Sequence, residues 1–287
     1  MKKNLLLEIE ERIQTFSKGQ KLISKYILEN YDKAAYMTAA KLGAIVNVSE
    51  STVVRFANEL GFAGYPEFQL ALQELVRTNL TSFQRMEVIS NRFGDGDILS
   101  KTLLSDIDKI RRTIEEIDKA AFEKAVDNIV EAKNIYIIGV RSSSSLAGFL
   151  AHSLRMVFDS VKFVQTTSGS EMFEQIMSIG EGDVMIAISF PRYSKRIINA
   201  VNFAKNAGAD VIAITDSAMS PIAPSASQLL LAKSDMVSFV DSLVAPLSII
   251  NAIVVAVSMK KQEELTVRLR QLEQIWDEYE VYDKNQG

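Results

Sequence analysis

From Ile135 onward, short apolar segments alternate with segments of helical periodicity, and this alternation limits the possible folds more than any other feature of the chain. Strands that alternate with helices are typical of a parallel sheet covered by helices on both faces. The apolar segments are nearly unbroken, as expected for strands buried on both faces. We therefore predict a doubly wound parallel-sheet (α/β) domain with strands at Ile135–Gly139, Val161–Gln165, Val184–Ser189, Val211–Thr215 and Gln228–Leu231.

The N-terminal part of the chain has a different pattern, in which apolar residues recur at helical spacing and no strand signal is found. This periodicity weakens between Thr78 and Asp97 and returns from Ile98 to about Ile117. The expected fold class is therefore α plus α/β. We predict an all-helical domain at 1–77, a linker and connecting helix at 78–124, the α/β domain at 125–258, and a C-terminal helix and tail at 259–287.

The residue types available restrict the chemistry of the chain. It has no cysteine and a single histidine, His152. Disulfides and thiolate-bound metals are thereby excluded, and a zinc site or a histidine-dependent relay is disfavoured. Hydroxyls, amides and charged groups must carry the function, and we expect neither a metal nor a cofactor.

Two apolar segments bear on where the protein works. The run Leu5-Leu6-Leu7 stops at Glu8, which is too short for a signal sequence. The run Ser242–Met259 is uncharged over eighteen residues, near the lower limit for a membrane span. Serines, a proline and an asparagine interrupt it and it has no partner span, so we interpret it as a buried helix. We predict a cytoplasmic protein that does not contact a membrane.

Residues 39–56 have the spacing of two helices that meet at a tight turn. Gly43 is small where the second helix must approach, and Asn47 tolerates the left-handed backbone expected at the turn. Ser49 offers an N-cap to a second helix that ends near Gly61. The residues predicted to fill the space between the two helices are Leu42, Val46, Val48, Val53 and Phe56.

This arrangement predicts a helix-turn-helix whose second helix enters the major groove of double-stranded DNA. Lys21, Lys25 and Lys41 are expected to contact phosphates. The net charge is −4 overall, but residues 1–80 carry +1 and residues 81–287 carry −5, which permits DNA binding. A helical hairpin used only for packing is the alternative. The predicted DNA-contacting residues are Ser49, Glu50, Ser51, Thr52, Arg55 and Lys41.

Hydroxyl groups cluster after three predicted strands, where ligands bind in parallel sheets. A phosphate needs convergent donors, which serine hydroxyls and the N–H groups of a helix's first turn supply, and Arg192, Arg141 or Lys195 would add positive charge. Neither a dinucleotide fingerprint nor a Walker motif is present, so those ligands are disfavoured. In the alternative interpretation each serine only caps a helix. The predicted phosphate-binding residues are Ser142, Ser143, Ser144, Ser145, Ser189, Arg192 and Ser194.

Two stretches resemble known families. Val48–Phe56 followed by Leu60–Tyr65 resembles the N-terminal domain of RpiR-type regulators. Gly139–Ser145 together with Ser189–Ser194 resembles the sugar isomerase (SIS) domain, over roughly residues 125–258. The resemblance implies a bacterial regulator, commonly a homodimer or homotetramer, that binds an inverted-repeat operator. It also implies a phosphosugar effector bound by serine and threonine loops.

By this resemblance Ser143, Ser145, Ser189 and Ser194 correspond to the phosphate-binding hydroxyls of SIS domains. Catalytic members carry Ser-x-Ser-Gly-x-Thr in the second loop, whereas this chain has Ser-Phe-Pro-Arg-Tyr-Ser at 189–194. This variant resembles the regulator branch. It also leaves the set of donors open, because Pro191 has no N–H group and the neighbouring arginine offers a charge instead.

Two functions fit these features. In the first, a phosphosugar alters the geometry of paired helix-turn-helix units, whose recognition helices must be ~34–36 Å apart on DNA. In the second, the chain is an aldose–ketose isomerase whose helical domain only mediates assembly. Isomerisation needs a general base near the sugar carbons; His152 is expected to have a packing or surface role, and Glu171, Glu174 and Asp216 remain candidates. We predict the regulator, with no catalytic residue.

Overall fold

The computed structural model describes residues 5–79, 96–165, 168–235 and 240–282. The chain divides into two compact units, residues 1–84 and 85–287. The described part of the first unit is all helical, as predicted. Its helices are α1 (Leu5–Arg12), α2 (Lys18–Ala34), α3 (Ala39–Val46), α4 (Glu50–Glu59) and α5 (Tyr65–Asn79).

An aromatic cluster forms the core of the first unit. Phe56 of α4 is fully buried and meets Phe16 and Phe68 edge-to-face, with ring centroids 5.2 and 5.7 Å apart. Edge-to-face pairs add roughly 0.5–1.5 kcal/mol to the stabilisation that burial provides. The inner face of α4 is thus fixed, which leaves its other face for contacts outside the unit.

The second unit contains the predicted sheet. All five predicted strands are present, and their ends differ from the prediction by one residue at most. The predicted four-part division of the chain stays a prediction, and most of the predicted break at Phe93–Asp97 lies outside the described residues. The elements are α6 (Ile98–Glu116), α7 (Lys119–Glu131), β1 (Ile135–Gly139), α8 (Ser142–Arg155), β2 (Val161–Val164), α9 (Gly169–Ile176), β3 (Val184–Ile188), α10 (Lys195–Asn206), β4 (Asp210–Thr215), a 3₁₀ turn (Ala223–Ser225), β5 (Gln228–Leu231), α11 (Val244–Lys260) and α12 (Gln262–Glu278).

The sheet is parallel throughout, with the strand order β2-β1-β3-β4-β5. One face is covered by α7, α8 and α11, and the other by α9 and α10. All residues of the inner strands β1 and β3 are buried, which explains their unbroken apolar sequences. The strand order reverses between β1 and β3, and ligands of open α/β sheets bind at such a switch point.

The uncharged run at 242–259 forms α11, and one side of this helix is buried as predicted, through residues such as Ile249, Ile250 and Ile253. The other side is exposed, and its most accessible large apolar side chains are those of Val255 and Met259. Within the described part of the chain, no single helix is long and apolar enough to cross a membrane; α11 and α12 pass that test only together, across a 96° bend.

Helix α6 has the reverse of the usual amphipathic arrangement. Its buried residues are Lys109 and Thr113, which face the rest of the second unit. Its apolar side chains face solvent instead, and those more than half exposed are Ile98, Leu99, Leu103, Leu104, Ile107 and Ile114. An exposed apolar stripe of this size is typical of an interaction surface.

Candidate functional site

The turn between α3 and α4 has the predicted geometry. Asn47 adopts a left-handed backbone (φ 57°, ψ 48°), and the N–H of Val48 donates to the carbonyl of Gly43 at 2.9 Å. A Cβ at Gly43 would lie 2.8 Å from the carbonyl oxygen of Val48, closer than such atoms can approach. Gly43 and Asn47 therefore set the angle at which α4 leaves the turn.

Helix α4 begins and ends as the sequence predicts. Ser49 is its N-cap, and the Ser49 hydroxyl accepts from the Thr52 N–H at 3.3 Å and contacts the hydroxyls of Ser51 and Thr52. The helix ends at Glu59, two residues before Gly61, whose φ of 87° suits glycine. The Ser49 hydroxyl is thus engaged locally, which gives it a structural role at the start of the helix.

The outer face of α4 is accessible. Glu50, Ser51 and Arg55 are exposed and Thr52 is half-buried. Arg55 extends along the helix, where its Nε donates to the carbonyl of Ser51 at 3.2 Å. Of the residues expected between the two helices, Leu42, Val53 and Phe56 are buried, whereas Val46 and Val48 are only half-buried. Because the face that carries the predicted base-reading residues is not used for packing, the packing-only alternative loses support.

Helix α2 adds a basic stripe, of which only Lys21 and Lys25 were predicted from the sequence. A Cβ at Gly19 would lie 3.2 Å from the methyl carbon of Thr52, so the start of α2 lies beside the start of α4. Lys18, Lys21 and Lys25 lie at positions i, i+3 and i+7 of α2, and all three are exposed, as is Lys41 on α3. Lys18 was missed, although its helical spacing from Lys21 and Lys25 is visible in the sequence.

Tyr65 links α5 to the residue that precedes the cap of α3. Its hydroxyl donates to the carbonyl of Met37 at 2.8 Å, and the amide of Gln69 donates to the same oxygen at 2.7 Å. Thr38 follows directly and caps α3. Burial raises the pKa of the Tyr65 phenol to about 12, because the phenolate would lose its hydration. These contacts fix the position of the helix-turn-helix within the first unit.

In the second unit, three strands end side by side at one edge of the sheet. Gly139 of β1 pairs with Ile188 of β3, which pairs with Ile214 of β4. Adjacent strands lie ≈ 4.7–4.9 Å apart. The three hydroxyl-bearing segments that follow these residues therefore start from neighbouring points at the β1/β3 switch point, as the predicted phosphate site requires.

The first segment differs from the predicted loop, because Ser142–Ser145 form the first turn of α8. Arg141, directly before it, has φ 57° and ψ −129°, a backbone conformation that costs of order 1–3 kcal/mol in a residue with a side chain. Ser142 and Ser145 are exposed and Ser144 is half-buried, but Ser143 is only 5% exposed. A Cβ at Gly139 would lie 2.5 Å from the carbonyl oxygen of Ser143, so the strand end and the helix start are in close contact.

The second segment, residues 189–194, combines a buried start with an exposed arginine. Ser189 is 4% exposed, whereas Arg192 is exposed and has a φ of 65°. Ser194 is the N-cap of α10, and its hydroxyl accepts from the Arg196 N–H at 3.3 Å. The capping interpretation therefore holds for Ser194, although a capping hydroxyl retains its own proton for donation.

Asp216 directly after β4 is tied to this second segment. It is 3% exposed, and its Oδ1 accepts from the Tyr193 hydroxyl at 2.8 Å and from the Thr215 hydroxyl at 3.3 Å. Asp216 is one of the catalytic bases that the sequence leaves as candidates, whereas Tyr193 was not among the predicted site residues. A buried carboxylate that already accepts two hydrogen bonds is better suited to hold the segment in place.

The other groups considered for acid–base chemistry lie on helix surfaces. Glu171 and Glu174 are exposed on α9, and His152 is exposed in the second half of α8. Within the ranges that the structure describes, no three His, Cys, Asp or Glu side chains are grouped so that they could hold a metal ion.

Comparisons with known proteins match both units. The family described as "Helix-turn-helix domain, rpiR family" matches residues 3–78, and the family described as "SIS domain" matches residues 128–256. The HTH-type transcriptional regulator HexR of Pseudomonas aeruginosa is 24% identical over 278 residues, which cover 95% of each chain.

Two solved structures are similar in fold. The sugar isomerase domain of the RpiR transcription factor from Sphaerobacter thermophilus covers 62% of this chain and 99% of that chain, at 26% identity and a TM-score of 0.59. The Vibrio vulnificus NanR protein, solved in complex with ManNAc-6P, covers 96% of this chain and 98% of that chain, at 23% identity and a TM-score of 0.60.

Proposed function

The chain belongs to the RpiR-type helix-turn-helix transcriptional regulators that carry a SIS domain, and on this premise we propose that it binds operator DNA through α4 and releases or tightens that contact when a phosphosugar binds the SIS domain. The observation that carries the proposal is the alignment of three hydroxyl-bearing segments at the β1/β3 switch point, in a chain whose α4 keeps an accessible polar face. Because operator DNA is the proposed target, we propose that the protein acts in the cytoplasm.

For DNA, we assign base reading to the first two turns of α4. Arg55 is long enough for a bidentate contact with guanine, and Glu50 accepts from a cytosine amino group, each worth roughly 1–3 kcal/mol of discrimination. Ser49, Ser51 and Thr52 add shorter contacts. We assign phosphate contacts to the lysines of α2 and to Lys41, because they are exposed on the helices that flank α4.

For the effector, we assign the phosphate to the space between the start of α8 and residues 189–194. Ser142, Ser144 and Ser145 offer accessible hydroxyls, and the first turn of α8 offers backbone N–H groups. Arg192 adds a guanidinium at the edge of this space. Ser143, Ser189 and Ser194 shape the site from within, since two of them are buried and the third caps α10. The ManNAc-6P complex of NanR supports a phosphosugar as the class of ligand.

Sensing is favoured over isomerisation by the state of the candidate bases. The buried Asp216 carboxylate accepts from Tyr193, and Glu171, Glu174 and His152 are exposed on the surfaces of α9 and α8. The HexR relative is named as a regulator, which points the same way. The isomerase remains the second candidate, and turnover of a phosphosugar would establish it.

We further propose that two copies associate through the apolar side of α6 and the exposed side of α11. An apolar groove, lined by Ile110, Ile117, Phe122 and Ile249 among others, lies between α6, α7 and α11 and continues this surface. A second copy with the same groove would cover the exposed stripe on α6 and pair two helix-turn-helix units, as an inverted-repeat operator requires.

Sedimentation velocity tests this assembly. Ile114→Glu is expected to shift the protein toward the monomer, because it places a charge in the stripe. Leu70→Glu in the first unit is the matched control, since both side chains are 64% exposed. A dimer that is equally stable in both variants would refute the assignment of this surface.

Two arginine variants test the proposed function. Arg55→Ala is expected to weaken specific DNA binding roughly 5- to 150-fold, the range that corresponds to one lost base contact, while leaving the thermal shift with sugar phosphates intact. Arg192→Ala is expected to lose the thermal shift with sugar phosphates while keeping specific DNA binding. DNA binding is measured by fluorescence anisotropy on fragments selected from a genomic library, and ligand binding by thermal shift with a panel of hexose, pentose and amino-sugar phosphates.

Each outcome of this pair separates the candidates. Loss of only one activity in each variant supports a regulator with separable sites. An isomerase would show no specific DNA binding in any variant and would convert a phosphosugar, so that combination would refute the regulator. Lys41→Ala should also make the negative slope of log K against log salt less steep by about 0.9, which corresponds to the loss of one phosphate contact. Lys124→Ala, at an exposed position on α7, should leave that slope unchanged.

A further inference from the structure

A continuous series of hydrogen bonds connects the second phosphate segment to α6, the first described helix that follows the DNA-binding unit in the chain. It starts with the bond from the Tyr193 hydroxyl to Asp216 Oδ1 at 2.8 Å, which joins residues 189–194 to the end of β4. The hydroxyl of Thr215 donates to the same oxygen at 3.3 Å. Any shift of Tyr193 on ligand binding therefore acts directly on the end of β4.

The series continues from β4 to α6 through the segment that follows β5. The carbonyl of Thr215 accepts from the N–H of Ala232 at 2.8 Å. The next residue, Lys233, donates its backbone N–H to the hydroxyl oxygen of Thr113 on α6 at 2.9 Å. Thr113 is one of the two buried residues of α6, so this bond is shielded from water and is stronger than an exposed one.

Further polar contacts fasten α6 to the same segment. Arg112 pairs with Asp235 at 2.8 Å, and the Ser242 hydroxyl donates to Asp106 at 2.7 Å. Lys109 is 2% exposed, and its ammonium contacts the Ser105 hydroxyl at 2.8 Å and Asp106 at 3.4 Å. These Lys109 contacts lie within α6 and satisfy its buried charge beside the Asp106 carboxylate. Asp106 and Arg112, through Ser242 and Asp235, are the side chains that tie the helix to the segment after β5.

We propose that Tyr193, Asp216 and Thr113 are positioning residues that transmit occupancy of the phosphate site to α6, and through α6 to the DNA-binding unit. This rests on the proposed function, since it names the structural route by which a phosphosugar regulates DNA binding. These contacts explain the reversed arrangement of α6. Its polar side bonds to the segment that follows β5, and its apolar side remains available to a second copy. A hydrogen-bonded route alone does not establish coupling, so the effect of one end on the other must be measured.

Hydrogen–deuterium exchange on the 287-residue chain measures the coupling between residues 189–196 and α6. Thr113→Val keeps the shape of the side chain and removes the acceptor for the Lys233 N–H. Loss of one buried hydrogen bond is expected to speed local exchange about threefold to tenfold, both in α6 and, at the far end of the route, in residues 189–196. Thr102→Val on the same helix is the matched control, since Thr102 lies outside the route.

The outcomes decide the proposal. Faster exchange in residues 189–196 with Thr113→Val, and not with Thr102→Val, supports coupling. A change confined to α6 and the segment after β5 would overturn it. Should Thr113→Val fold poorly, Thr113→Ala makes the same comparison, because it also removes the acceptor for the Lys233 N–H.

A second arm uses inorganic phosphate as the probe and separates this inference from the proposed function. Phosphate is expected to slow exchange in both residues 189–196 and α6 of the unaltered protein, and only in residues 189–196 of Thr113→Val. Protection of residues 189–196 without any effect on α6 would overturn the coupling. No protection of residues 189–196 at all would contradict the phosphate site, while the comparison of the two threonine variants would still decide whether the route exists.

Discussion

Replacing Gly139 by alanine tests the close contact between the end of β1 and the start of α8. The added Cβ would lie 2.5 Å from the carbonyl oxygen and 2.9 Å from the carbonyl carbon of Ser143, and 3.1 Å from the Cβ of Ala147. Two of these atoms belong to the backbone, so no side chain can rotate away to make room. The first turn of α8 must therefore move by several tenths of an ångström or more.

The expected loss of stability is at the upper end of the range for overpacked cores, about 3 kcal/mol. The effect on ligand binding should be comparable, because the same movement displaces the N–H groups and hydroxyls assigned to the phosphate. Each hydrogen bond to a charged group is worth roughly 1.5–3 kcal/mol, so the loss of one lowers phosphosugar affinity by about tenfold or more.

Urea unfolding and thermal shift with sugar phosphates measure the two effects. Gly148→Ala on the same helix is the matched control: its added Cβ would lie 3.6 Å from the ring of Phe163, which is ordinary contact. That variant should gain roughly 0.5–1 kcal/mol, because alanine is favoured over glycine within a helix. If Gly139→Ala kept both the stability and the ligand affinity of the unaltered protein, the geometry of the phosphate site would be refuted.

Three further outcomes are expected. Gly43→Ala should lower the free energy of unfolding in urea by about 1–2 kcal/mol, because overpacking against the Val48 carbonyl outweighs the helix propensity gained. The same variant should weaken DNA binding, and an unchanged DNA affinity would mean that the turn does not set the angle of α4. Tyr65 should stabilise the protein below about pH 10 and lose that contribution as pH rises toward about 12, because folding raises the pKa of its phenol; a Tyr65→Phe variant that shows the same alkaline decline would contradict this. Arg141→Gly should raise stability by about 1 kcal/mol, because glycine tolerates the positive φ, and a less stable variant would show that the arginine side chain compensates for the strain.

The features that depend on local chemistry were predicted well from the sequence. The strands are marked by apolar runs that must be buried on both faces, and the helix-turn-helix by Gly43 and Asn47, whose roles depend on contacts within a few residues. The order of the strands was not predicted; the observed order β2-β1-β3-β4-β5 places the segments after β1 and β3 together.

The features that were missed depend on contacts between distant parts of the chain. Tyr193 has no distinguishing local pattern, and its role appears only because β4 brings Asp216 beside it. The reversed arrangement of α6 arises from partners more than one hundred residues away, such as Asp235 and Ser242. The start of α8 at Ser142 was also missed, since a run of serines is typical of both loops and helix starts.

In the proposed function, a phosphosugar bound at the sheet edge changes the affinity of α4 for DNA. The most direct test of this proposal is the Kd for a selected operator fragment, measured at fixed salt with and without each member of a sugar-phosphate panel, for the unaltered protein and for Arg192→Ala. We predict that one phosphosugar changes the Kd by roughly 5- to 150-fold, the usual range of allosteric coupling, and that Arg192→Ala still binds the fragment but no longer responds. An operator affinity that no phosphosugar alters, or a response that Arg192→Ala retains in full, would contradict the account.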